Sequence, residues 1–214
     1  MKLLNEYDID FSSSKLINDA LTHTSYANEH NVVSYERLEY LGDAVLELVC
    51  SDYLFKKGNY EPGEMSKMRS LYVCENALFE YSKEIHLDSY IRLGNGISYP
   101  NKTVIADVFE AVIAVIYLEY GLDKVRNLFN KLIVPYIESD VDFIKDYKSS
   151  LQEYLQTKQK SVTYELVKET GPAHNKVFTV NVLVEGLVFG SGKGKSKKEA
   201  EQRAAKDAFS KCAK

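Results

Sequence analysis

The sequence predicts two domains of different class: an all-α domain over residues 1–140, a linker at 141–146, and a small α+β domain over 147–214. Three observations predict it. Over the first 140 residues apolar side chains recur at spacings of three and four, as on helices lying against a core, and no stretch alternates with period two. Beyond residue 160 that alternation appears, in VTYELVKE, KVFTVNVLVE and LVFG. The charge also changes sign. Residues 1–146 carry 14 Lys+Arg against 24 Asp+Glu, a balance of −10, and residues 147–214 carry 13 against 7, a balance of +6. The formal net charge of −4 hides this split, which suggests that the second domain meets a polyanion.

Taken in order, residues 14–28 begin as an amphipathic helix through Leu16, Ile17, Ala20 and Leu21 and then turn polar. Leu38, Leu41, Val45 and Leu48 form the stripe of a helix expected from Tyr35 to about Phe55. Two glycines and a proline make Lys56–Glu64 a loop, and Met65–Ile85 reads as one helix. After a loop at Ile91–Thr103, Val104–Tyr120 is apolar almost all round, as a buried helix is, with Gly121 to close it. Asp123 suits the N-cap of a further helix through Ile137. In the second domain a helix at Tyr147–Gln156 precedes strands at 162–169, 176–185 and 187–190, with Gly186 at a tight hairpin. A last helix, Ser196–Lys211, aligns Ala200, Ala204, Ala205, Ala208 and Phe209 on one face.

Composition bounds the function classes. Hydrophobic residues at 45% and charged residues at 27% are ordinary for a globular protein. Cys50, Cys74 and Cys212 are scattered without a CxxC pattern, which argues against a disulfide framework and for a reducing compartment. MKLLNEYDIDF is too short in its apolar run and too acidic for a secretory signal, and the most apolar window contains Asp107 and Glu110. We expect a cytoplasmic protein with no membrane association.

The chemistry concentrates in two acidic pairs. Glu39 and Asp43 stand four apart within YERLEYLGDAVLEL, and Asp107 and Glu110 three apart within VIADVFEAVIAVIYL, so each pair shares a helix face. Unpaired carboxylates in apolar surroundings cost several kcal/mol each, and residues 103–123 contain no Lys or Arg. Either both pairs lie on solvated edges or pair with Lys or Arg from elsewhere in the chain, or they face one another and hold a hard divalent cation. Mg²⁺ takes carboxylate and water oxygens in octahedral geometry. Spacing alone leaves both readings open.

ERLEYLGDAVLEL closely resembles the signature of the ribonuclease III family, and IADVFEAVIAVIYL resembles its second acidic motif. LTHTSYANE at 21–29 and MSKMRSLYV at 65–73 are similar to further family landmarks in the same order. Residues 147–214 resemble the double-stranded-RNA-binding domain through GPAHNKVF and GKGKSKKEAEQRAA. The resemblance implies an all-α nuclease domain followed by an α-β-β-β-α RNA-binding domain. It implies Glu39, Asp43, Asp107 and Glu110 as metal ligands, with Asp43 and Glu110 essential to catalysis. Tyr35 stands where the signature usually has Asn and is expected to touch the helix entry or dimer surroundings rather than the metal. Pro62-Gly63 replaces the usual Glu-Gly, which puts an accessory acidic role of Glu61 or Glu64 in doubt.

The activity implied by the resemblance is that of an Mg²⁺-dependent endoribonuclease, with Mn²⁺ able to substitute and no organic cofactor. Water activated by the ion would attack the phosphodiester directly, since His23, His30, His86 and His174 have no Ser or Cys beside them in a nucleophile pattern. The resemblance implies 5′-phosphate and 3′-hydroxyl ends with short 3′ overhangs, hence two cuts and a homodimer through the nuclease domain. The implied substrates are rRNA, mRNA, tRNA and other structured transcripts. For RNA binding it assigns one minor groove to Gln152, Glu153 and Gln156 and the other to His174. Lys193, Lys195, Lys197 and Lys198 fall between, on phosphates. Ser196 as N-cap with Glu199 forms a capping box. The two lysines in that first turn oppose the helix dipole by about 0.3–1 kcal/mol each, which phosphates would relieve. Gly190, Gly192 and Gly194 are expected to let the backbone come close to the RNA. Two rivals are a duplex-RNA-binding protein with a decayed nuclease domain and an acidic helical interaction module, and the presence of all four carboxylates speaks against decay.

Overall fold

A computed structural model of the chain describes residues 4–143, 146–172 and 176–211. It divides into two compact units, one of residues through Phe143 apart from Glu61–Glu64, the other built on the chain beyond Phe143.

Among the described residues the α-helices up to Phe143 are α1 (Leu16–Ala20), α2 (Thr24–His30), α3 (Glu36–Lys57), α4 (Pro62–Tyr72, which the first unit takes from Met65), α5 (Glu75–Glu84), α6 (Lys102–Tyr120), α7 (Leu122–Leu132) and α8 (Val134–Glu138). α6 is its centre because its sequence leaves no polar face to solvate over most of its length. Eleven side chains between Val104 and Ile116 are buried, each apolar one of Val or Ile size contributing about 1.5–3 kcal/mol. Asn101 starts the helix by accepting the Val104 amide on Oδ1 at 2.9 Å. α3 lies along α6 and buries Val45, Leu46, Val49, Cys50 and Leu54, while α5 and α7 pack on other sides.

Several boundaries differ from those the sequence predicts. The helix expected at Met65–Ile85 is two, because Cys74 adopts an extended conformation (φ −77°, ψ 159°) and starts α5 anew. Its thiol donates back to the Leu71 carbonyl at 3.2 Å. The loop expected through Glu64 ends earlier: Pro62 opens α4, where its missing N–H costs nothing, and Glu64 Oε2 accepts the Glu61 amide at 3.1 Å. The helix expected through Ile137 breaks at Ile133, with Pro135 in the first turn of α8. Gly121, at φ +81°, caps both α6 and α7, so Asp123 lies inside α7 and pairs with Arg126 at 2.8 Å.

The second unit runs α9 (Tyr147–Thr157), β1 (Val162–Thr170), β2 (Val177–Val184), β3 (Leu187–Gly194), α10 (Lys197–Lys211). The strands form one antiparallel sheet in the order β1-β2-β3, with Val162 opposite Val184 and Val180 opposite Gly192. Leu151 and Leu155 of α9, Val180, Val182 and Val184 of β2 and the alanine face of α10 make a separate core. β3 continues past Gly190 to Gly194, and there the glycines serve packing within the domain. A Cβ on Gly190 would sit 2.5 Å from the Ala204 carbonyl oxygen, one on Gly194 2.6 Å from the Ala200 amide, and one on Gly192 on the backbone between them. The stripe lets α10 lie with its own backbone on the strand, which is why its facing residues are alanines. The expectation that these glycines admit RNA is corrected accordingly.

Candidate functional site

The two acidic pairs meet where α3 crosses α6. Gly42 lies between Glu39 and Asp43 and is buried, and a Cβ there would overlap the carbonyl group of Glu110. The helix backbones are therefore in contact at the point from which all four carboxylates project. Glu39, Asp107 and Glu110 are half-buried and Asp43 is exposed.

The four side chains sense one another electrostatically. Burial, then the charges of Asp43, Glu39, Asp107 and Glu47, push Glu110 up to about 8. Glu39 is raised by burial and by Asp107, Glu36 and Asp43. Asp107 is raised chiefly by burial and further by Glu75, against the opposing pull of a hydrogen bond from Tyr35 and of His23. Among the described residues no Lys or Arg is ion-paired with Glu39, Asp43, Asp107 or Glu110. Two basic residues of these helices and their neighbour α4 have other partners: Lys102 pairs with Glu75 at 2.8 Å, and Arg69 with Glu47 at 3.9 Å and the Ser51 hydroxyl at 3.1 Å.

The donor set fits a hard divalent cation in chemistry: four carboxyl side chains close together, none of them ion-paired with a Lys or Arg among the described residues. The side chains as they stand do not close into a coordination sphere, since no three acidic, His or Cys groups among the described residues are arranged to hold an ion.

Tyr35 reaches further than expected. It is at the entry to α3, but its buried ring carries the hydroxyl across to α6, where it donates to Asp107 Oδ2 at 3.1 Å. It thus touches the carboxylate site directly. Burial and the Asp107 charge push the phenol far above its ordinary pKa, so it remains a donor.

In the second unit, Gln152, Glu153 and Gln156 are exposed on α9 while Leu151 and Leu155 of the same helix are buried. α9 lies beside α10, tied by Lys148 to Glu201 at 2.6 Å and by Gln202 donating to Asp146 at 2.7 Å. Lys193, Lys195, Lys197 and Lys198 are all exposed around the start of α10, and no described residue forms an ion pair with them. The Glu199 amide donates to Ser196 Oγ at 3.2 Å, and Glu199 Oε2 accepts the Lys195 amide at 2.7 Å. The capping box therefore forms, one residue displaced on its return bond. His174 lies outside the described residues, as does Cys212.

Two family models match the chain, ribonuclease-III-like over residues 13–137 and a double-stranded RNA binding motif over 147–211. The chain belongs to the ribonuclease III family. It is 43% identical to ribonuclease 3 of Streptococcus pneumoniae serotype 19F (strain G54) over 219 residues, 98% of this chain and 94% of that one. To ribonuclease 3 of Streptococcus pyogenes serotype M1 it is 45% identical over 217 residues, covering 97% and 94%. Among solved structures, the nuclease domain of ribonuclease III from Campylobacter jejuni matches with a TM-score of 0.57 and 32% identity, over 63% of this chain and 95% of that one. This ribonuclease III-family protein is thus an endoribonuclease acting on double-stranded RNA. No described helix is long and apolar enough to cross a membrane.

For this family member, two residues at the site escaped sequence reasoning. Gly42 carries no chemistry, and a glycine inside a helix reads as a mild defect until the helix it touches is known. Tyr35 sits 72 positions from Asp107, and no local spacing links them.

Proposed function

We propose that Glu39, Asp43, Asp107 and Glu110 hold Mg²⁺ for hydrolysis of duplex RNA, with Asp43 and Glu110 indispensable and Mn²⁺ an effective substitute. The observation that carries this reading is the convergence of two acidic pairs on touching helices with no basic partner among the described residues. Bound Mg²⁺ supplies Lewis-acid stabilisation of the phosphoryl group and lowers the pKa of water at neutral pH. The chain's own part is to gather the negative charge. Glu110, raised to about 8, holds a proton near neutrality and gives it up when positive charge enters. The products are 5′-phosphate and 3′-hydroxyl ends with short 3′ overhangs.

Residues 1–140 form the nuclease domain, 147–214 the RNA-binding domain, and 141–146 the link between them. Two staggered cuts need two sites, and we read the working enzyme as a homodimer through the nuclease domain. Along one side of α3, Tyr40, Leu48 and Phe55 are 84%, 54% and 75% exposed, an apolar stripe suited to a second copy. The Campylobacter jejuni nuclease domain is described as having a region involved in dimer formation. On the RNA, Gln152, Glu153 and Gln156 take one minor groove and the segment of His174 the next, while Lys193, Lys195, Lys197 and Lys198 meet the phosphates between. Such a domain reads duplex shape over roughly 16 base pairs rather than base sequence. Structured rRNA, mRNA and tRNA precursors are the substrates that fit, in the cytoplasm, where Cys50 and Cys74 stay as free thiols.

The test is a uniform RNA duplex of about two helical turns, incubated in EDTA, in Mg²⁺ and in Mn²⁺, with the product ends analysed. Cleavage in both metals and none in EDTA, leaving 5′-phosphates, supports the reading. Cleavage in EDTA, or 2′,3′-cyclic ends, contradicts it.

A further inference from the structure

Tyr35 is fixed at both ends. Its amide donates to the Thr22 carbonyl at 3.0 Å, and its own carbonyl accepts the Leu38 and Glu39 amides at 2.8 and 2.9 Å. The backbone is thereby pinned at the first turn of α3, one turn before Glu39. The buried ring lies tilted beside His23, with centroids 6.1 Å apart. From that seat the hydroxyl reaches the other helix of the site and donates to Oδ2 of Asp107. No other described residue makes a side-chain hydrogen bond or ion pair to the Asp107 carboxylate, so Oδ1 is not engaged by another side chain among them. One side chain anchored on α3 therefore fixes the orientation of a carboxylate carried by α6.

We propose that Tyr35 is a positioning residue of the metal site, its hydroxyl holding Asp107 in the rotamer that presents Oδ1 to the cation. The proposal rests on the reading of the four carboxylates as that site. Asp107 is half-buried among like charges, and without a donor it would turn away from Glu39 and Glu110 toward water. A hydrogen bond to a charged oxygen is stronger than one between neutral groups, enough to select one orientation. The packing of the ring does not need the hydroxyl, since phenylalanine fills the same space. What the hydroxyl adds is the aim of Asp107.

The test uses the full chain freed of metal and titrated with Mn²⁺ alone by calorimetry, in the parent, Tyr35→Phe and Glu110→Gln forms. Tyr35→Phe is expected to bind Mn²⁺ about tenfold more weakly, the lower end of what outer-shell partners contribute to metal affinity. The Mg²⁺ concentration for half-maximal cleavage rises by the same factor, while KM for duplex RNA does not follow. Each protein's gain in unfolding temperature on adding Mn²⁺ is read against its own metal-free baseline, so any stability cost of removing the hydroxyl cancels. Equal Mn²⁺ affinity in Tyr35→Phe and the parent, with Glu110→Gln weakened, overturns the role of Tyr35 and leaves the site intact. Absence of Mn²⁺ binding by the parent protein overturns the site itself.

Discussion

A methyl group on Gly42 of α3 would occupy the space of the Glu110 carbonyl on α6. That contact sets the spacing between the two acidic pairs, and it makes an opposite prediction from helix propensity. Gly→Ala inside a helix normally stabilises by up to about 1 kcal/mol. Here Gly42→Ala must push α3 from α6, at about 1–3 kcal/mol for overpacking. Urea unfolding should show a lowered midpoint. Cleavage should fall by on the order of a hundredfold, the scale of a displacement of about 1 Å at a reacting centre. A stabilised, fully active Gly42→Ala protein would mean that the helices do not meet at this point.

The metal-free protein should lose stability as pH rises, through Glu110. Its folded pKa of about 8 lies above the ordinary value of 4.5. The folded state therefore binds the proton more tightly, and this contribution is fully present below about 4.5 and lost as pH climbs through about 8. Glu39 and Asp107, also raised, act with the same sign. Urea midpoints in EDTA at pH 6 and pH 9 should separate more for the parent than for Glu110→Gln, and added Mg²⁺ should narrow the gap. Equal separations in the two proteins would show that Glu110 is not held protonated.

The glycine stripe and the lysines of the second unit should respond differently to substitution. Lys197→Ala/Lys198→Ala should weaken duplex binding and flatten its dependence on salt by about 0.9 in log–log slope for each phosphate no longer neutralised. Gly192→Ala removes no charge but meets the backbone of α10. It should lower the unfolding temperature of that unit while leaving the salt slope of the folded fraction as in the parent. An unchanged slope in the double lysine variant removes the phosphate contact. A flattened slope in Gly192→Ala would return the glycines to the RNA.

The pairing of Glu39 with Asp43 and of Asp107 with Glu110 is legible because helical periodicity sets it whatever surrounds them, while their reading as one site comes from the resemblance to the ribonuclease III family. The α-β-β-β-α order is legible from the switch in period near residue 160. The features hidden from the sequence depend on tertiary contact. Val73-Cys74 contains neither Gly nor Pro, and the apolar spacing runs through it, so nothing local announces that α4 ends there. Pro62 reads as a breaker although it also suits a first helical turn, and neighbours decide between the two. The stripe Gly190, Gly192, Gly194 is visible, but its partner Ala200, Ala204, Ala208 is defined only once α10 lies on β3. Position in the chain assigns Tyr35 to the helix entry, yet its hydroxyl reaches a residue on another helix.

The carboxylate site stands or falls on Glu110 taking part in the chemistry rather than in holding RNA or the fold. Glu110→Gln keeps the size of the side chain and removes its charge, so duplex binding in EDTA, measured by filter retention or anisotropy, should match the parent. Single-turnover cleavage in Mg²⁺ should fall by on the order of a thousandfold, as expected when several kcal/mol of metal-dependent stabilisation is withdrawn. Cleavage by Glu110→Gln at the parent rate, with RNA bound as before, would contradict the account.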